Sequence, residues 1–376
     1  MRVTQVINNL QVGGAETMML RLAKHLDHSR HEIRVISLMG DGPIGDELRD
    51  IGVQVECLGA RGSFSALSLI RRLRRALVNS APHVIQSWMY HSNLISTLCR
   101  DRSISAPICW NVRHSLHAFK NEKFMTRMVI HAGSKLSKRP EAIIFNSRTA
   151  CEQHKKIGYR NDRMIVIPNG VDMAEFTPVP EARQNIQARL GLKNGSFLIG
   201  CVGRRHPDKN QQLLLDAMKC LVQQRRNVHC LFIGRGFEPA GPAEKWTRVA
   251  GLEQRVHLMG EQRPIAPLLS GLDCLVLPSR GESFPNVLIE AMACAVPCVT
   301  TDVGDAAEIV GNPDHVVQAG DVDGLTSALI ELIDKPDLRH EFSKNARSRV
   351  ADLYSIHAVV RQYEDLWHDL AGSHEA

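Results

Sequence analysis

Short apolar runs alternate with longer amphipathic stretches through the first 167 residues. The amphipathic stretches predict helices at Glu16–Leu26, Pro43–Ile51 and Phe64–Asn79. The apolar runs predict buried strands at Val3–Ile7, Glu32–Leu38, Val53–Leu58, Val84–Ser87, Ile108–Val112, Ala142–Phe145 and Ile165–Ile167. Strands and helices that alternate with short connections are typical of a parallel sheet covered by helices on both faces.

The turn residues Pro168-Asn169-Gly170-Val171-Asp172 interrupt this alternation, which then begins again. The second half predicts strands at Phe197–Val202, Val228–Ile233, Arg255–Leu258, Cys274–Leu277 and Cys298–Thr301. It predicts helices at Asn210–Gln224, Ile265–Ser270, Asn286–Ala293, Gly324–Ile333, Asp337–Leu353 and Ile356–Leu370. We therefore expect an α/β protein with two tandem Rossmann-like, doubly wound domains and a ligand cleft beyond the carboxyl ends of the strands.

Length and composition agree with two ordinary globular domains, because 376 residues exceed the usual size of one. No apolar run is long enough to span a bilayer, and the first residues do not resemble a leader peptide, so we expect a cytoplasmic protein. The ten cysteines are scattered without a C-x-x-C pair. This spacing favours reduced, mostly buried thiols over a disulfide framework or a zinc site.

Charge divides unevenly between the halves. Residues 1–168 hold 25 Lys and Arg against 13 Asp and Glu, a net charge of +12, whereas residues 169–376 hold 21 against 27, a net charge of −6. A basic half favours an anionic partner, for which nucleic acid, an acidic membrane surface and a phosphate-bearing substrate are the candidates. A solvated basic surface without a partner remains an alternative.

A first candidate cluster follows the predicted strand that ends at Val202. Gly203 permits a sharp exit from the strand, and Arg204 and Lys209 precede a helix. A guanidinium can bind two phosphate oxygens at once, and an ammonium adds a compact second charge. Taken alone, basic residues in such a loop are usually only solvated.

A second cluster runs from Pro278 to Glu290, from a buried strand into a helix. Pro285 suits a first helical turn, and the N–H groups near Ser283, Phe284, Asn286 and Val287 can attract phosphate. Glu282 before the helix and Glu290 inside it can accept hydrogen bonds from sugar hydroxyls. A surface Glu282 and a capping or salt-bridged Glu290 are the alternatives. Burial of an unpaired Glu290 carboxylate in an apolar stretch would, however, cost free energy.

The sequence resembles the family 4 retaining glycosyltransferases, which have the GT-B fold. Two acidic residues at the family spacing match Glu282 and Glu290, and the family's Gly-Arg-x-x-x-x-Lys-Asn loop matches Gly203 to Asn210. The hinge motif resembles Pro168 to Asp172, and the N-terminal glycine loop resembles Gly13-Gly14-Ala15-Glu16, which indicates a subgroup with that loop. The resemblance covers essentially the whole chain.

The resemblance implies a role for each matching residue. Arg204 and Lys209 would hold the donor diphosphate, Glu282 and the backbone at Phe284–Val287 would meet the transferred sugar, and Glu290 would bind the ribose. Gly14 would bring its N–H to the diphosphate from residues 1–168, the acceptor-side domain, to which the final helix (356–376) would return. Residues 169–355 would form the donor domain, and the domains would close about Asn169–Val171.

Metal is not expected, because two cations and a helix dipole can carry the leaving charge and no Asp-x-Asp element ends a strand. The resemblance implies retention of configuration through a front-face path. Asp305 stands where relatives often have a second glycine. Because this loop can shape the choice of nucleotide, the sequence does not indicate which base the donor carries.

His114 is the expected catalytic residue of the first domain, because relatives place a His near the sugar from this loop. A structural or exposed His is the alternative. Arg113 and His91 are acceptor-side candidates.

The helix around Arg71-Arg72-Leu73-Arg74-Arg75 combines an apolar stripe with four arginines, and five further basic residues lie within Lys123–Arg139. This pattern is typical of a helix on an anionic membrane surface, and an ordinary helix with a solvated Arg face is the alternative.

We therefore expect a retaining transferase that moves a hexose or N-acetylhexosamine from a nucleotide sugar, with UDP favoured over GDP. The expected acceptor is lipid-linked or an oligosaccharide, at the inner face of the cytoplasmic membrane, and no nucleic acid is involved. A GT-B nucleotide-sugar epimerase, a dinucleotide-dependent oxidoreductase and a catalytically silent binding scaffold are the alternatives. The Gly13-Gly14 loop lacks the G-x-G-x-x-G spacing that the oxidoreductase requires.

Overall fold

A computed structural model describes residues 1–60, 66–119, 122–224 and 226–375, with side chains described as far as residue 373. The chain divides into two compact units. Unit 1 comprises Met1–Gly170 and Ile356–Ala376, and unit 2 comprises Val171–Ser355. The division falls two residues after the junction that the turn motif predicts. The predicted helix start at Phe64 lies outside the described residues.

Unit 1 is built on a seven-stranded parallel sheet with the order β3-β2-β1-β4-β5-β6-β7 in the described residues. Its strands are β1 (Arg2–Ile7), β2 (Glu32–Ser37), β3 (Gln54–Cys57), β4 (Val84–Trp88), β5 (Ile108–Val112), β6 (Ala142–Phe145) and β7 (Met164–Val166). Its helices are α1 (Gly14–His25), α2 (Pro43–Asp50), α3 (Ala66–Ser80), α4 (Met89–Cys99), α5 (Phe124–Leu136), α6 (Arg148–Lys156) and the final helix, Ile356–Glu375. In register, Val3 pairs with Ile33 on one side and Val84 on the other.

Both faces of this sheet are covered, as near-continuous apolar strands require. Leu73 of α3 packs with Trp110 and Phe145 on one face. On the other face, Val3 packs with Tyr363 and Trp367 of the final helix. The last helix therefore supplies part of the core of unit 1, although it is separated from that unit in sequence by all of unit 2.

Unit 2 contains a six-stranded parallel sheet with the order β10-β9-β8-β11-β12-β13 in the described residues. Its strands are β8 (Phe197–Val202), β9 (Val228–Ile233), β10 (Val256–Gly260), β11 (Cys274–Leu277), β12 (Cys298–Thr301) and β13 (Val316–Val317). Its helices are α7 (Ala182–Leu190), α8 (Gln211–Gln223), α9 (Ala243–Val249), α10 (Ala266–Ser270), α11 (Asn286–Ala293), α12 (Ala306–Val310), α13 (Val322–Asp334) and α14 (Pro336–Leu353). We number the final helix of the chain α15.

The strand order reverses between β1 and β4 in unit 1 and between β8 and β11 in unit 2. In doubly wound sheets, the loops that leave such a pair of strands separate to opposite faces, and the crevice at their carboxyl ends binds ligands. In unit 2 these loops are Gly203–Asn210 and Pro278–Pro285. Both sequence clusters therefore flank the reversal point of unit 2.

Several helices of the structure are not predicted by the hydrophobic pattern of the sequence. Helix α4 was not predicted, because four of its buried residues are polar: Ser92, Asn93, Ser96 and Thr97. Such positions obscure the helical spacing of apolar residues. Helices α6, α7, α9 and α12 and strand β13 were also not predicted, and β10 begins at Val256 and not at Arg255.

All ten cysteines are unpaired thiols, and most of them are buried. In the part of the chain that the structure describes, no helix combines the length and the apolar character needed to cross a bilayer.

Candidate functional site

The loop after β8 bends sharply before it reaches α8. Gly203 has a φ of 147°, which side-chain-bearing residues rarely adopt, and the loop then forms a 3₁₀ turn at Pro207–Lys209. Its shape is supported by a hydrogen bond from Gln211 Nε2 to the Arg204 carbonyl at 3.0 Å. A second contact, from the Arg280 N–H to the Asp208 carbonyl at 2.7 Å, joins it to the loop after β11.

Lys209 and Glu282 meet across this reversal point. Lys209 Nζ lies 2.6 Å from Glu282 Oε1, and Ser279 Oγ donates to the same oxygen at 2.7 Å. The Glu282 side chain is only 12% exposed, so the pair is largely shielded from water. Among the described residues, Glu282 Oε2 has no hydrogen-bond partner and can accept one from a ligand.

The loop after β12 packs against the loop that carries Glu282. Gly304 has a φ of 56°, and a Cβ there would lie 2.5 Å from the Glu282 carbonyl oxygen. The Asp305 N–H donates to the Ser283 carbonyl at 3.1 Å, and Thr301 Oγ1 donates to the Ser279 carbonyl at 2.6 Å. The sequence prediction missed Ser279 and Gly304. Gly304 lies in a polar segment directly after β12, and a glycine at such a position can indicate that two backbone segments approach each other closely.

Helix α11 begins at Asn286, as the sequence pattern predicts. Pro285 is its N-cap and not a residue of its first turn, because its ψ of 99° is extended. Asn286 and Val287 open the helix, where the first N–H groups lack intrahelical acceptors and favour an anion. Glu290 is half-buried in the second turn of the same helix.

Arg204 and Arg205 are adjacent in sequence and differ in their surroundings. Both side chains are exposed. The Arg205 guanidinium lies 5.9 Å from the ring centroid of Trp246, within reach of a cation–π contact. Among the described residues, Arg204 has no ion pair. Its charge is therefore available at the loop that carries Lys209.

In unit 1, Gly14 is the first residue of α1. A Cβ at Gly14 would meet nothing within 4 Å, and its backbone does not need a left-handed conformation. The fold thus does not demand a glycine here, and the space beside it is open. By contrast, a Cβ at Gly13 would lie 2.4 Å from the Glu16 carboxylate.

His114 lies in the loop after β5. Its Nε2 lies 3.0 Å from Glu122 Oε1, and its ring packs edge-on against Tyr90 with centroids 6.2 Å apart. The imidazole is half-buried. A carboxylate at this distance orients the ring.

Arg113 and His91, the two acceptor-side candidates, lie in different surroundings. Arg113 contacts Asn111, Tyr363, Asn169 and the ring of Trp88, all within unit 1. His91 is exposed in the first turn of α4, directly after β4. The structure therefore leaves His91 accessible at the reversal point of unit 1, whereas it occupies Arg113 with contacts to the fold.

The basic surface of unit 1 differs in detail from the sequence pattern. The apolar stripe of α3 is not available to a membrane, because Leu73 and Leu77 are buried in the core. The Arg74 guanidinium pairs with Asp101 at 3.1 Å. Exposed apolar side chains instead lie at the start of α5, where Phe124, Met125 and Met128 are 66%, 65% and 50% exposed.

Within residues 1–60, 66–119, 122–224 and 226–375, no group of three or more His, Cys, Asp or Glu side chains is arranged to hold a metal ion.

Two family models match the chain, one in each unit. Residues 12–175 match the model described as Glycosyltransferase Family 4, and residues 196–335 match the one described as Glycosyl transferases group 1. Together the matched ranges contain Gly14 and His114 in unit 1 and Arg204, Lys209 and Glu282 in unit 2.

Curated relatives carry related names. The lipopolysaccharide core biosynthesis mannosyltransferase LpsB of Rhizobium meliloti is 31% identical over 244 residues, which cover 61% of this chain and 67% of the relative. An Escherichia coli protein, named UDP-Gal:alpha-D-GlcNAc-diphosphoundecaprenol alpha-1,3-galactosyltransferase, is 28% identical over 212 residues, which cover 55% of this chain and 54% of the relative.

Among solved structures, Anabaena Alr3699/HepE in complex with UDP is similar in fold. Its TM-score is 0.84 at 20% sequence identity, with coverage of 98% of this chain and 100% of that chain. At this identity the similarity establishes the fold.

Proposed function

This chain belongs to the glycosyltransferases of the GT-B fold, and we propose that unit 2 binds the diphosphate and sugar of a nucleotide-sugar donor. The observation that carries the proposal is the cluster at the reversal point of its sheet. Arg204 offers an unpaired cation, Lys209 and Glu282 are joined at 2.6 Å, and the N-terminus of α11 lies in the adjoining loop.

Each part of this cluster suits a different part of such a donor. The Arg204 guanidinium and the first N–H groups of α11 attract the diphosphate. Glu282 Oε2 accepts a hydrogen bond from a sugar hydroxyl, while its Oε1 remains bonded to Lys209 and Ser279. Glu290, eight positions further along, binds the ribose in this proposal. Gly14 and His114 act from unit 1, on the strength of the family resemblance.

The proposed reaction is the transfer of a hexose or N-acetylhexosamine with retention of configuration and without a resident metal. As the C–O bond to the leaving phosphate breaks, Arg204, Lys209 and the α11 dipole stabilise the charge that develops on the diphosphate. The acceptor hydroxyl attacks from the same face, and its proton passes to the leaving phosphate oxygen. Atoms and charge then balance without a protein nucleophile.

We propose UDP in preference to GDP as the nucleotide, and a lipid-linked or oligosaccharide acceptor in polysaccharide or glycan assembly. The relatives differ on these points: the E. coli relative is named for UDP-Gal and a diphosphoundecaprenol acceptor, and LpsB for mannose and lipopolysaccharide core. We also propose that the chain belongs to a subgroup of the family that has the Gly13-Gly14-Ala15-Glu16 loop.

Membrane contact is proposed at the start of α5. Phe124, Met125 and Met128 are exposed, and Lys123 and Arg127 lie on the same segment. Apolar side chains flanked by cations bind anionic bilayers from the cytoplasmic side. Sedimentation with vesicles that contain anionic lipid should fall in a Phe124→Ser, Met125→Ser variant. It should not change in Val249→Ser, which alters an 81% exposed apolar residue of unit 2.

The deciding experiment for the activity is a transfer assay with the purified protein. UDP- and GDP-sugars are incubated with and without a diphosphate-lipid-linked sugar, and the released nucleotide and the product's anomeric configuration are measured. The proposal expects acceptor-dependent release and retention. Conversion of the donor sugar without any acceptor would instead establish an epimerase, and binding without either reaction would establish a scaffold.

A further inference from the structure

The guanidinium of Arg113 donates three hydrogen bonds, all to neutral groups. Its Nη1 donates to Asn111 Oδ1 at 3.1 Å and to the Tyr363 hydroxyl at 2.9 Å, and its Nη2 donates to Asn169 Oδ1. The Cζ lies 5.4 Å from the ring centroid of Trp88. Among the described residues, no carboxylate pairs with Arg113. Its contacts therefore fix geometry and do not neutralise its charge.

Two of these partners lie beside the points where the chain crosses between units. The chain leaves unit 1 after Gly170 and returns at Ile356. Asn169 immediately precedes the first crossing, and Tyr363 lies two turns into α15, which starts at the second. Arg113 consequently joins both crossing segments to the carboxyl end of β5.

Residues 169–170, which we call the junction, also contact α1. Arg21 Nη1 donates to the Gly170 carbonyl at 3.3 Å, and the Gly170 N–H faces Met18 Sδ at 3.5 Å. Helix α1 begins at Gly14, and Arg113 is the neighbour of His114. Both elements of unit 1 that carry proposed reactive residues are thus bonded to residues 169–170.

We propose that Arg113 is a positioning residue that holds the junction, the His114 loop and α15 in one fixed arrangement. This inference rests on the proposed transferase function, because it assigns Arg113 to the placement of groups that act on the donor. It replaces the expectation that Arg113 itself meets the acceptor. The three oxygens that it binds belong to buried residues, so loss of the guanidinium removes one hydrogen bond from each of them.

Arginine suits this role because its planar fork directs several donors at fixed angles, whereas lysine presents a single mobile ammonium. Asn111 Nδ2 also donates to the Tyr363 hydroxyl at 2.9 Å. That contact keeps β5 joined to α15 without Arg113. A substitution of Arg113 also removes the hydrogen bond to Asn169, which joins the His114 loop to the junction.

The test compares Arg113→Gln and Arg113→Lys with Arg163→Gln, which removes another arginine contact to α15, the ion pair with Asp369. We expect kcat to fall about 10- to 100-fold in Arg113→Gln, with the donor KM within about threefold, because a displacement of about 1 Å costs about 10²-fold. Arg113→Lys should recover part of the loss. Arg163→Gln should keep wild-type kcat.

A double variant with Asn169→Ala separates positioning from general destabilisation. If Arg113 acts through Asn169, the double variant should be no slower than the slower single variant, because both changes break one contact. Independent, multiplying losses would overturn the proposal. So would wild-type kcat in Arg113→Gln, or a donor KM that rises in step with the loss of kcat/KM, since that would make Arg113 a donor ligand.

Hydrogen exchange gives a readout that does not need activity. The Gly170 amide should exchange faster in Arg113→Gln and at the wild-type rate in Arg163→Gln. If this pattern appears while the wild-type protein transfers no sugar, the proposed function has failed and the junction assignment stands. Unchanged exchange at Gly170 in Arg113→Gln would refute the assignment even in an active enzyme.

Discussion

Both units place their candidate residues at the carboxyl ends of parallel strands, but they hold them differently. In unit 2, Lys209 and Glu282 leave from the two strands beside the reversal point and meet at 2.6 Å. In unit 1, Gly14 and His114 follow the separate strands β1 and β5. The space beside Gly14 is open, and Glu122 holds His114 at 3.0 Å. The candidate residues of unit 2 fix one another, whereas those of unit 1 depend on the surrounding fold.

The difference has a consequence for charge. In this structure Lys209 is paired with Glu282, whereas Arg204 of the same loop has no ion pair among the described residues. In unit 1 the unpaired cation beside the candidate residues is Arg113, which binds neutral oxygens. In the proposed function, Arg204 of unit 2 is therefore available to a ligand, whereas Arg113 of unit 1 holds its own chain.

The largest expected effect comes from breaking the pair in unit 2. Lys209→Ala removes a phosphate ligand and leaves the Glu282 carboxylate without its cation, so kcat/KM should fall about 10³-fold, at the upper end for loss of one charged group at such a site. Steady-state transfer measures it. Lys219→Ala, which alters a surface lysine paired with Asp216 on α8, is the control. A loss below about threefold in Lys209→Ala would contradict this assignment.

The matching change in unit 1 should cost less. His114→Ala removes a side chain that the proposal places near the transferred sugar, so kcat should fall about 10²-fold, as for a positioned acid, base or hydrogen-bond donor. Glu122→Gln should lower kcat by a smaller factor, because it only loosens the ring. Neighbouring His117→Ala is the control. Equal activity in the His114 and His117 variants would remove His114 from the site.

A methyl group at Gly14 should affect activity without harming the fold. The position is open and lies in the first turn of a helix, so Gly14→Ala should leave thermal stability unchanged or raise it by about 0.5 kcal/mol. We expect the rate of transfer to fall about tenfold, because the contact between the Gly14 N–H and the donor would be misplaced. Gly372→Ala, at another open helical glycine, should leave transfer intact. Unimpaired transfer in Gly14→Ala would show that no ligand approaches there.

The last effect concerns stability against pH, to which His154 in unit 1 and His229 in unit 2 contribute among the buried histidines. Burial lowers the pKa of His154 in unit 1 from 6.5 to about 4, and burial next to His257 lowers the pKa of His229 in unit 2 to about 4. Because the unfolded chain takes up these protons first, stability is complete above pH 6.5 and declines towards pH 4. For His154 the loss at pH 5 amounts to about 2 kcal/mol at most.

Urea midpoints at pH 7.5 and pH 5.0 measure this effect. The difference between the two midpoints should shrink in His154→Gln and persist in His117→Gln, which changes an exposed imidazole. An unchanged difference in His154→Gln would mean that other groups control the acid sensitivity of unit 1.

The sequence predicts the candidate site of unit 2 more completely than that of unit 1 for a physical reason. In unit 2 the site residues belong to two short segments that follow apolar strands, so the strand pattern alone brings Lys209 and Glu282 to one edge. Ser279 and Gly304 were missed, since a serine contact and a close backbone approach depend on which loops become neighbours. Asp305, singled out for nucleotide choice, donates its N–H to the Ser283 carbonyl and so shapes the Glu282 loop.

In unit 1 the same reasoning named His114 as the catalytic candidate and Arg113 and His91 as acceptor-side candidates, but it could not indicate their contacts. Arg113 and His114 are adjacent in sequence, yet one points to Asn169 and Tyr363 and the other to Glu122. Tyr363 is 250 positions away from Arg113, and no local pattern indicates such a contact. Helix α4, which carries His91, was missed because buried polar side chains interrupt its apolar face.

The central claim is that unit 2 binds a nucleotide sugar through the cluster at its reversal point. Calorimetric titration of UDP- and GDP-sugars into wild-type protein, Arg204→Ala and Arg205→Ala tests it most directly, because the two arginines are neighbours with different surroundings. We expect saturable binding to wild type and Arg205→Ala, and about 10- to 100-fold weaker binding to Arg204→Ala, as for loss of a charge-assisted phosphate contact. Equal binding to all three proteins, or equal loss in both variants, would contradict it.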